Sequence, residues 1–174
     1  LPLSIGATYG SAIFFNIGKS KVEGVELELQ TLLSDDLILH LSSSYIEAVL
    51  AEDAISLGGE KGESLPGSAD FNLSLGLEYQ FNVAEYASYI RADYGYVDEF
   101  EHEFKTNLPD EDPVAGGYST LNVKAGVEVN DISVDLFVKN LTNSDKFTWI
   151  DNATNNFGSG RAYRQKPRTV GINV

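Results

Sequence analysis

From residue 68 to 81 the chain alternates without a break, with Ala69, Phe71, Leu73, Leu75, Leu77, Tyr79 and Phe81 on one parity and Asp70, Asn72, Ser74, Gly76, Glu78 and Gln80 on the other. A period of two is that of a β-strand, whose successive side chains point to opposite faces. These fourteen residues are more than twice the about 5 to 6 of a common soluble strand. They suit a bilayer crossing, which takes about 9 to 11 tilted strand residues.

The pattern recurs along the chain. In residues 118–130, Leu121, Val123, Ala125, Val127 and Val129 alternate with Thr120, Asn122, Lys124, Gly126 and Glu128. Only Asn130-Asp131 separates that run from Ile132, Val134, Leu136 and Val138, the spacing of a tight hairpin. Val25, Leu27, Leu29 and Leu33 form an earlier run that returns after Ser34-Asp35-Asp36 as Leu37, Leu39, Leu41 and Tyr45. Residues 86–98 carry Ile90, Ala92, Tyr94 and Tyr96 on one parity and follow the long strand after residues 82–85. With a less regular strand at 8–18 and a last one at 168–174, the reading is eight antiparallel strands and no helix.

The connections sort into two kinds. The three hairpin turns are short, whereas residues 51–67, 99–117 and 143–167 are long and rich in glycine, proline, asparagine and acid. Strict alternation of short and long connections is the mark of an up-and-down outer-membrane barrel, with periplasmic turns on one rim and extracellular loops on the other. Aromatic placement agrees, because Tyr and Trp favour the headgroup level. Phe81 and Tyr86 flank a short turn, and Tyr45, Tyr94 and Tyr96 stand toward the long-loop ends. Alternation alone does not say which face is outside; a lipocalin-like binder has the apolar face within. Strand length and the aromatic ends favour the membrane.

Composition removes other classes. The net charge of −14, from 12 basic and 26 acidic residues, repels a polyphosphate backbone, so no nucleic acid is expected as a partner. The absence of cysteine removes disulfides, thiolate metal sites and thiol nucleophiles. Hydropathy reveals no run near the ~18 apolar residues of a membrane helix, which leaves strands as the means of crossing. The chain starts at Leu1 and contains no methionine, and we read it as a piece of a longer protein.

Four motifs in order resemble the barrel of TonB-dependent receptors: Asn16-Ile17-Gly18-Lys19-Ser20 with Gly24-Val25-Glu26, Leu65-Pro66-Gly67 before a long strand, Asn140-Leu141-Thr142-Asn143, and Pro167-Arg168-Thr169-Val170-Gly171. The resemblance implies that residues 1–174 are the carboxy-terminal part of such a barrel, about the last eight of its about 22 strands, with the plug domain and earlier strands absent. It departs from the family in ending at Val174 rather than in a closing aromatic. The implied parent is an outer-membrane receptor that imports a scarce ligand, such as an iron-siderophore complex, with TonB-coupled energy. Its implied partners are outer-membrane lipid, its own plug, the TonB complex and the small-molecule ligand. The alternative is a self-contained eight-stranded outer-membrane barrel with a structural or adhesion role.

No enzyme, cofactor or metal centre is expected. His40 and Ser42 share one strand face and resemble a nucleophile pair, but their parity is that of the polar lumen filling. The stretch 98–117 holds Asp98, Glu99, Glu101, Glu103, Asp110, Glu111 and Asp112; carboxylates suit a hard cation, yet the spacing fits no EF-hand, and a solvated acidic loop is the plainer reading. The last long loop is the candidate ligand site. Phe147, Trp149, Phe157 and Tyr163, with Arg161 and Arg164 nearby, can stack on a flat ligand and pair with an anionic one; equally, the rings can pack the loop onto its neighbours or sit at the headgroup level. Arg91 with Asp93, and Lys124 with Glu128, are assigned to a polar wall facing the plug.

Overall fold

The computed structural model describes residues 18–104, 114–151 and 161–174. Seven strands form one antiparallel up-and-down sheet: β1 (Ser20–Ser34), β2 (Leu37–Leu50), β3 (Phe71–Val83), β4 (Tyr86–Val97), β5 (Tyr118–Val129), β6 (Ile132–Lys139) and β9 (Thr169–Asn173). Between β6 and β9 lies a separate two-stranded hairpin, β7 (Phe147–Asp151) paired with β8 (Arg161–Arg164). Apart from a short 3-10 turn at Ile55–Leu57, no helix is present among the described residues. Among the described residues the sheet is open, with β1 and β9 as its edges, unpaired with each other.

Register aligns the alternation of each strand with its neighbours. Thr31, Leu39, Leu77, Ala92, Val123, Val138 and Val170 stand side by side across all seven strands. One step toward the short turns, Leu37, Tyr79, Ile90, Ala125, Leu136 and Ile172 form the next row of the same face. One step the other way come Leu29, Leu41, Leu75, Tyr94 and Leu121. A one-residue slip would invert all of this, so the continuity of the rows specifies the register.

The apolar face is left uncovered, with Leu77, Tyr79, Ile90, Leu136, Val170 and Ile172 all exposed. Six strand spacings of about 4.8 Å by the ~25 Å height of a bilayer band make a patch on the order of 700 Å², beyond the ~300 to 600 Å² that soluble monomers show. Aromatic rings close both ends. Phe71 and Tyr96 meet at 6.1 Å near the long connections, and Tyr79 stacks on Phe81 at 5.7 Å near the short turns. Ten residues of strand at about 3.4 Å each, tilted by about 40°, set these girdles ~26 Å apart, the height of the apolar band.

The other face is polar and internally paired. Arg91 reaches Asp93 at 2.6 Å and Glu78 at 3.4 Å, while Lys124 meets Asp135 at 2.7 Å and the Tyr89 hydroxyl donates to the same carboxylate at 2.8 Å. Lys124 therefore pairs with Asp135 on the neighbouring strand rather than with Glu128, because cross-strand neighbours on one face stand closer. Gly126 makes room for this group, since a Cβ there would run into the Tyr89 ring and the Asp135 carboxylate. His40 and Ser42 lie on this face, beside Gly76 and Ser74 of β3.

Three short turns, at 35–36, 84–85 and 130–131, alternate with long connections at 51–70, 98–117 and 140–168. Two expectations change. The strand expected at 8–18 falls outside the described residues except for Gly18, which is not in a strand. Residues 143–167, expected as one irregular loop, contain the β7-β8 hairpin, where Phe147, Thr148, Trp149 and Ile150 face Ala162, Tyr163 and Arg164. The β-branched and aromatic content there favours strand pairing, but the runs are too short to declare a period.

Candidate outer-loop site

All three long connections leave the same end of the sheet and hold one another. Leu50, at the top of β2, is buried with Ala54 and Phe104, and Leu57 and Leu65 pack on them. The Gly67 N–H donates to the Glu101 carbonyl at 2.8 Å, and the Gly116 N–H donates to the Phe147 carbonyl at 3.0 Å, so the second connection is tied to both the first and the third. His102 is buried within this junction.

Trp149 completes it. Its ring lies 5.9 Å from that of Phe100 at 43° and against Gly67, where a Cβ would approach the indole to 2.9 Å. Gly67 has a φ of +80°, a conformation that costs any other residue a steric penalty. Only glycine meets both demands without strain.

The hairpin gives the candidate residues their arrangement. Trp149 stands directly opposite Tyr163, and Arg161, two residues from Tyr163 and opposite Asp151, falls on the same face. Beneath them Ile150 is buried at 3% exposure, whereas Trp149 and Tyr163 remain 42% and 52% exposed. A ring and a hydroxyl-bearing ring are thus presented outward beside a guanidinium. Phe147 does not join them; a register shift separates it from Trp149, and the Arg164 guanidinium caps its ring at 4.4 Å while pairing with Asp145 at 3.1 Å. Trp149 thus packs the loops together and still exposes surface. Phe157 lies outside the described residues.

Asn140 anchors the hairpin to the wall. Buried at 5% exposure, it donates its Nδ2 to the carbonyls of Ser144 and Lys166, both at 2.8 Å. Its Oδ1 accepts from the Ser144 N–H at 3.0 Å, and its own N–H donates to Asn122 Oδ1 at 2.9 Å. Asn143 accepts from the Arg168 N–H at 3.0 Å. The Asn-Leu-Thr-Asn motif thus ties together the two feet of the third connection. The residues around these feet, Lys139, Gln165 and Lys166, were not singled out from sequence. A signal existed: six of the 12 basic residues fall between 139 and 168.

Of the acidic stretch, Asp110, Glu111 and Asp112 lie outside the described residues. Among the described residues no three His, Asp or Glu side chains come together as a metal-binding group.

The family model described as TonB dependent receptor-like, beta-barrel, matches residues 2–141. No curated protein matches the chain. Among solved structures, the chain is similar to the ferric yersiniabactin uptake receptor FyuA from Yersinia pestis, with a TM-score of 0.75 and 21% identity. The match covers 90% of this chain and 23% of that one, so the chain spans about a quarter of the length of the receptor it resembles. At that identity the likeness shows the fold. The family match spans most of the sequence, and with it the two-faced sheet and the alternating connections have one account: the chain belongs to the TonB-dependent receptor β-barrel family.

Proposed function

We propose that this chain is the carboxy-terminal part of the barrel of a bacterial outer-membrane receptor that imports a scarce small molecule, of the iron-siderophore kind, with energy delivered through TonB. The observation that carries this reading is the family match over residues 2–141. The uncovered apolar rows and the aromatic rings at both ends support placement in a bilayer. The family is one of receptors rather than enzymes, and the similar receptor from Yersinia pestis is titled for uptake of a ferric siderophore.

In this reading the polar face of β1 to β6 turns toward the plug, with the Arg91-Glu78-Asp93 and Lys124-Asp135-Tyr89 groups as wall contacts. The outer loops receive the ligand, and Trp149, Tyr163 and Arg161 contribute a stacking and ion-pairing surface, from which Phe147 stands apart under Arg164; Phe157, also chosen from sequence, lies outside the described residues. A small closed barrel is the second reading; what favours the receptor over it is the family match over residues 2–141, and among the described residues the edges β1 and β9 are left to pair with other strands. The remaining strands of the parent would pair with them.

The test is uptake by iron-starved cells. Accumulation of iron-55 from siderophore-containing medium is expected to fall when the parent gene is deleted, and to fall equally when tonB is deleted instead. Uptake that persists without TonB but needs the parent gene would overturn the energy coupling. Unchanged uptake in both strains, across ferric, cobalamin and glycan ligands, would overturn the importer reading.

A further inference from the structure

A cleft of about 420 Å³ opens where β5, β6 and β9 run up into the third long connection. Thr120 and Asn122 of β5 and Lys139 at the end of β6 line one side, and Thr148, Arg164 and Lys166 of the connection line the other. Thr120 and Asn122 have the parity of Lys124, so the cleft lies on the polar face, away from the apolar rows.

Its charge runs against that of the chain. The protein carries a net −14, yet the cleft is lined by Lys139, Arg164 and Lys166 and, among the described residues, by no carboxylate. Arg164 shares its charge with Asp145 at 3.1 Å. Lys139 lies over the Phe137 ring at 5.3 Å, and among the described residues neither Lys139 nor Lys166 pairs with an acid. Gln165 spans the cleft's root, donating Nε2 to the Thr120 hydroxyl at 2.6 Å, and its Oε1 is buried with no partner. Lys139 and Lys166 are exposed and keep their charges without an acid partner, so the cleft offers an anion two cations beside a hydroxyl, while the Gln165 oxygen, itself an acceptor, takes no part in holding it.

We infer that this cleft is an oxyanion site for a small soluble ligand bearing carboxylate or phosphate groups, held by Lys139 and Lys166 and oriented by the Thr120 hydroxyl and the Asn122 amide nitrogen. Lysine suits either group, as a compact charge with rotatable donors, and Thr120, which accepts from Gln165 and keeps its own proton to give, adds a neutral hydrogen bond to a ligand oxygen. Its use as a cargo subsite rests on the importer reading; the site itself does not.

The experiment is amine labelling of the purified full-length parent receptor, read by mass spectrometry at Lys139 and Lys166, with Lys61 of the first connection as control. Ferric citrate supplies a carboxylate probe and pyrophosphate a phosphate probe; ferrichrome serves as a neutral chelate. Protection of Lys139 and Lys166 but not Lys61 by an anionic probe is expected, and which probe protects assigns the source of the oxyanion. Affinity for that probe should fall about tenfold or more in Lys139→Gln and in Lys166→Gln, with ferrichrome binding unchanged. Protection by neither anion, or equal protection of Lys61, overturns the proposal. Lysines already unreactive before any probe is added would also overturn it, because an acidic group of the parent then fills the cleft. TonB-dependent uptake is measured separately, so the importer reading can fail while the labelling still decides the site.

Discussion

Trp149 and Phe100 stand with ring centroids 5.9 Å apart, and this contact joins the second long connection to the third while the same indole covers Gly67 of the first. One side chain therefore touches all three outer segments. The candidate surface is a tied unit rather than three independent loops, and Tyr163 takes its position from the same hairpin.

Replacing Trp149 with alanine is expected to loosen that unit by about 1 kcal/mol from the aromatic pair alone, with a further contribution from lost packing. Trp149→Phe should retain most of the contact. Protease nicking of intact cells within 51–67 and 99–104 reads the change, and equal resistance of Trp149→Ala and the parent would contradict the tie. Gly67→Ala should nick as readily, because a Cβ there meets both the indole and a left-handed backbone.

Asn140→Ala removes the amide that the Ser144 and Lys166 carbonyls share. Both bonds are only part-buried, so losing them costs about 0.5 to 1.5 kcal/mol each. The barrel should still assemble, since β6 and β9 keep their own ladder, while amide hydrogen exchange rises at Ser144 and through the hairpin. Exchange unchanged from the parent would show that the feet of the connection are held by something else.

These two predictions concern what the sequence disclosed least. The barrel wall was legible because a period of two, repeated with short and long connections, has few physical solutions for strands this long. The Asn-Leu-Thr-Asn run was legible as a motif but not as a knot, since its partners Ser144 and Lys166 are drawn in by the fold. The aromatics of the third connection were visible as a cluster, yet nothing in their spacing distinguished Trp149 and Tyr163, paired and half-exposed, from Phe147 under Arg164. Register between short strands separated by nine residues, as β7 and β8 are, leaves no local trace.

Ala84 takes a φ of 54° in the short turn after β3, a region that penalises a Cβ by about 1 to 2 kcal/mol. Ala84→Gly relieves that strain but enlarges the freedom of the unfolded chain by up to about 1 kcal/mol. The expected net is neutral to stabilising by about 1 kcal/mol. Urea titration of the full-length receptor folded into lipid vesicles measures it, and a clear loss of stability would mean that the turn makes contacts its backbone angles do not reveal.

The strongest test of the two-faced wall uses neighbouring residues of β3. Leu77 stands in the middle apolar row and Glu78 is the next residue on the polar face, where it meets Arg91 at 3.4 Å. Arginine placed on a lipid face at the bilayer midplane costs about 2 to 4 kcal/mol. Leu77→Arg should therefore lower the yield of heat-modifiable, folded receptor in outer membranes. Ser74→Arg, on the polar face beside Ser42 and Gly95, has the lumen to extend into and should assemble close to the parental level. The face assignment requires this asymmetry: if Ser74→Arg fails and Leu77→Arg assembles, the apolar rows point inward, and the chain is a binder with a greasy interior rather than a wall against lipid.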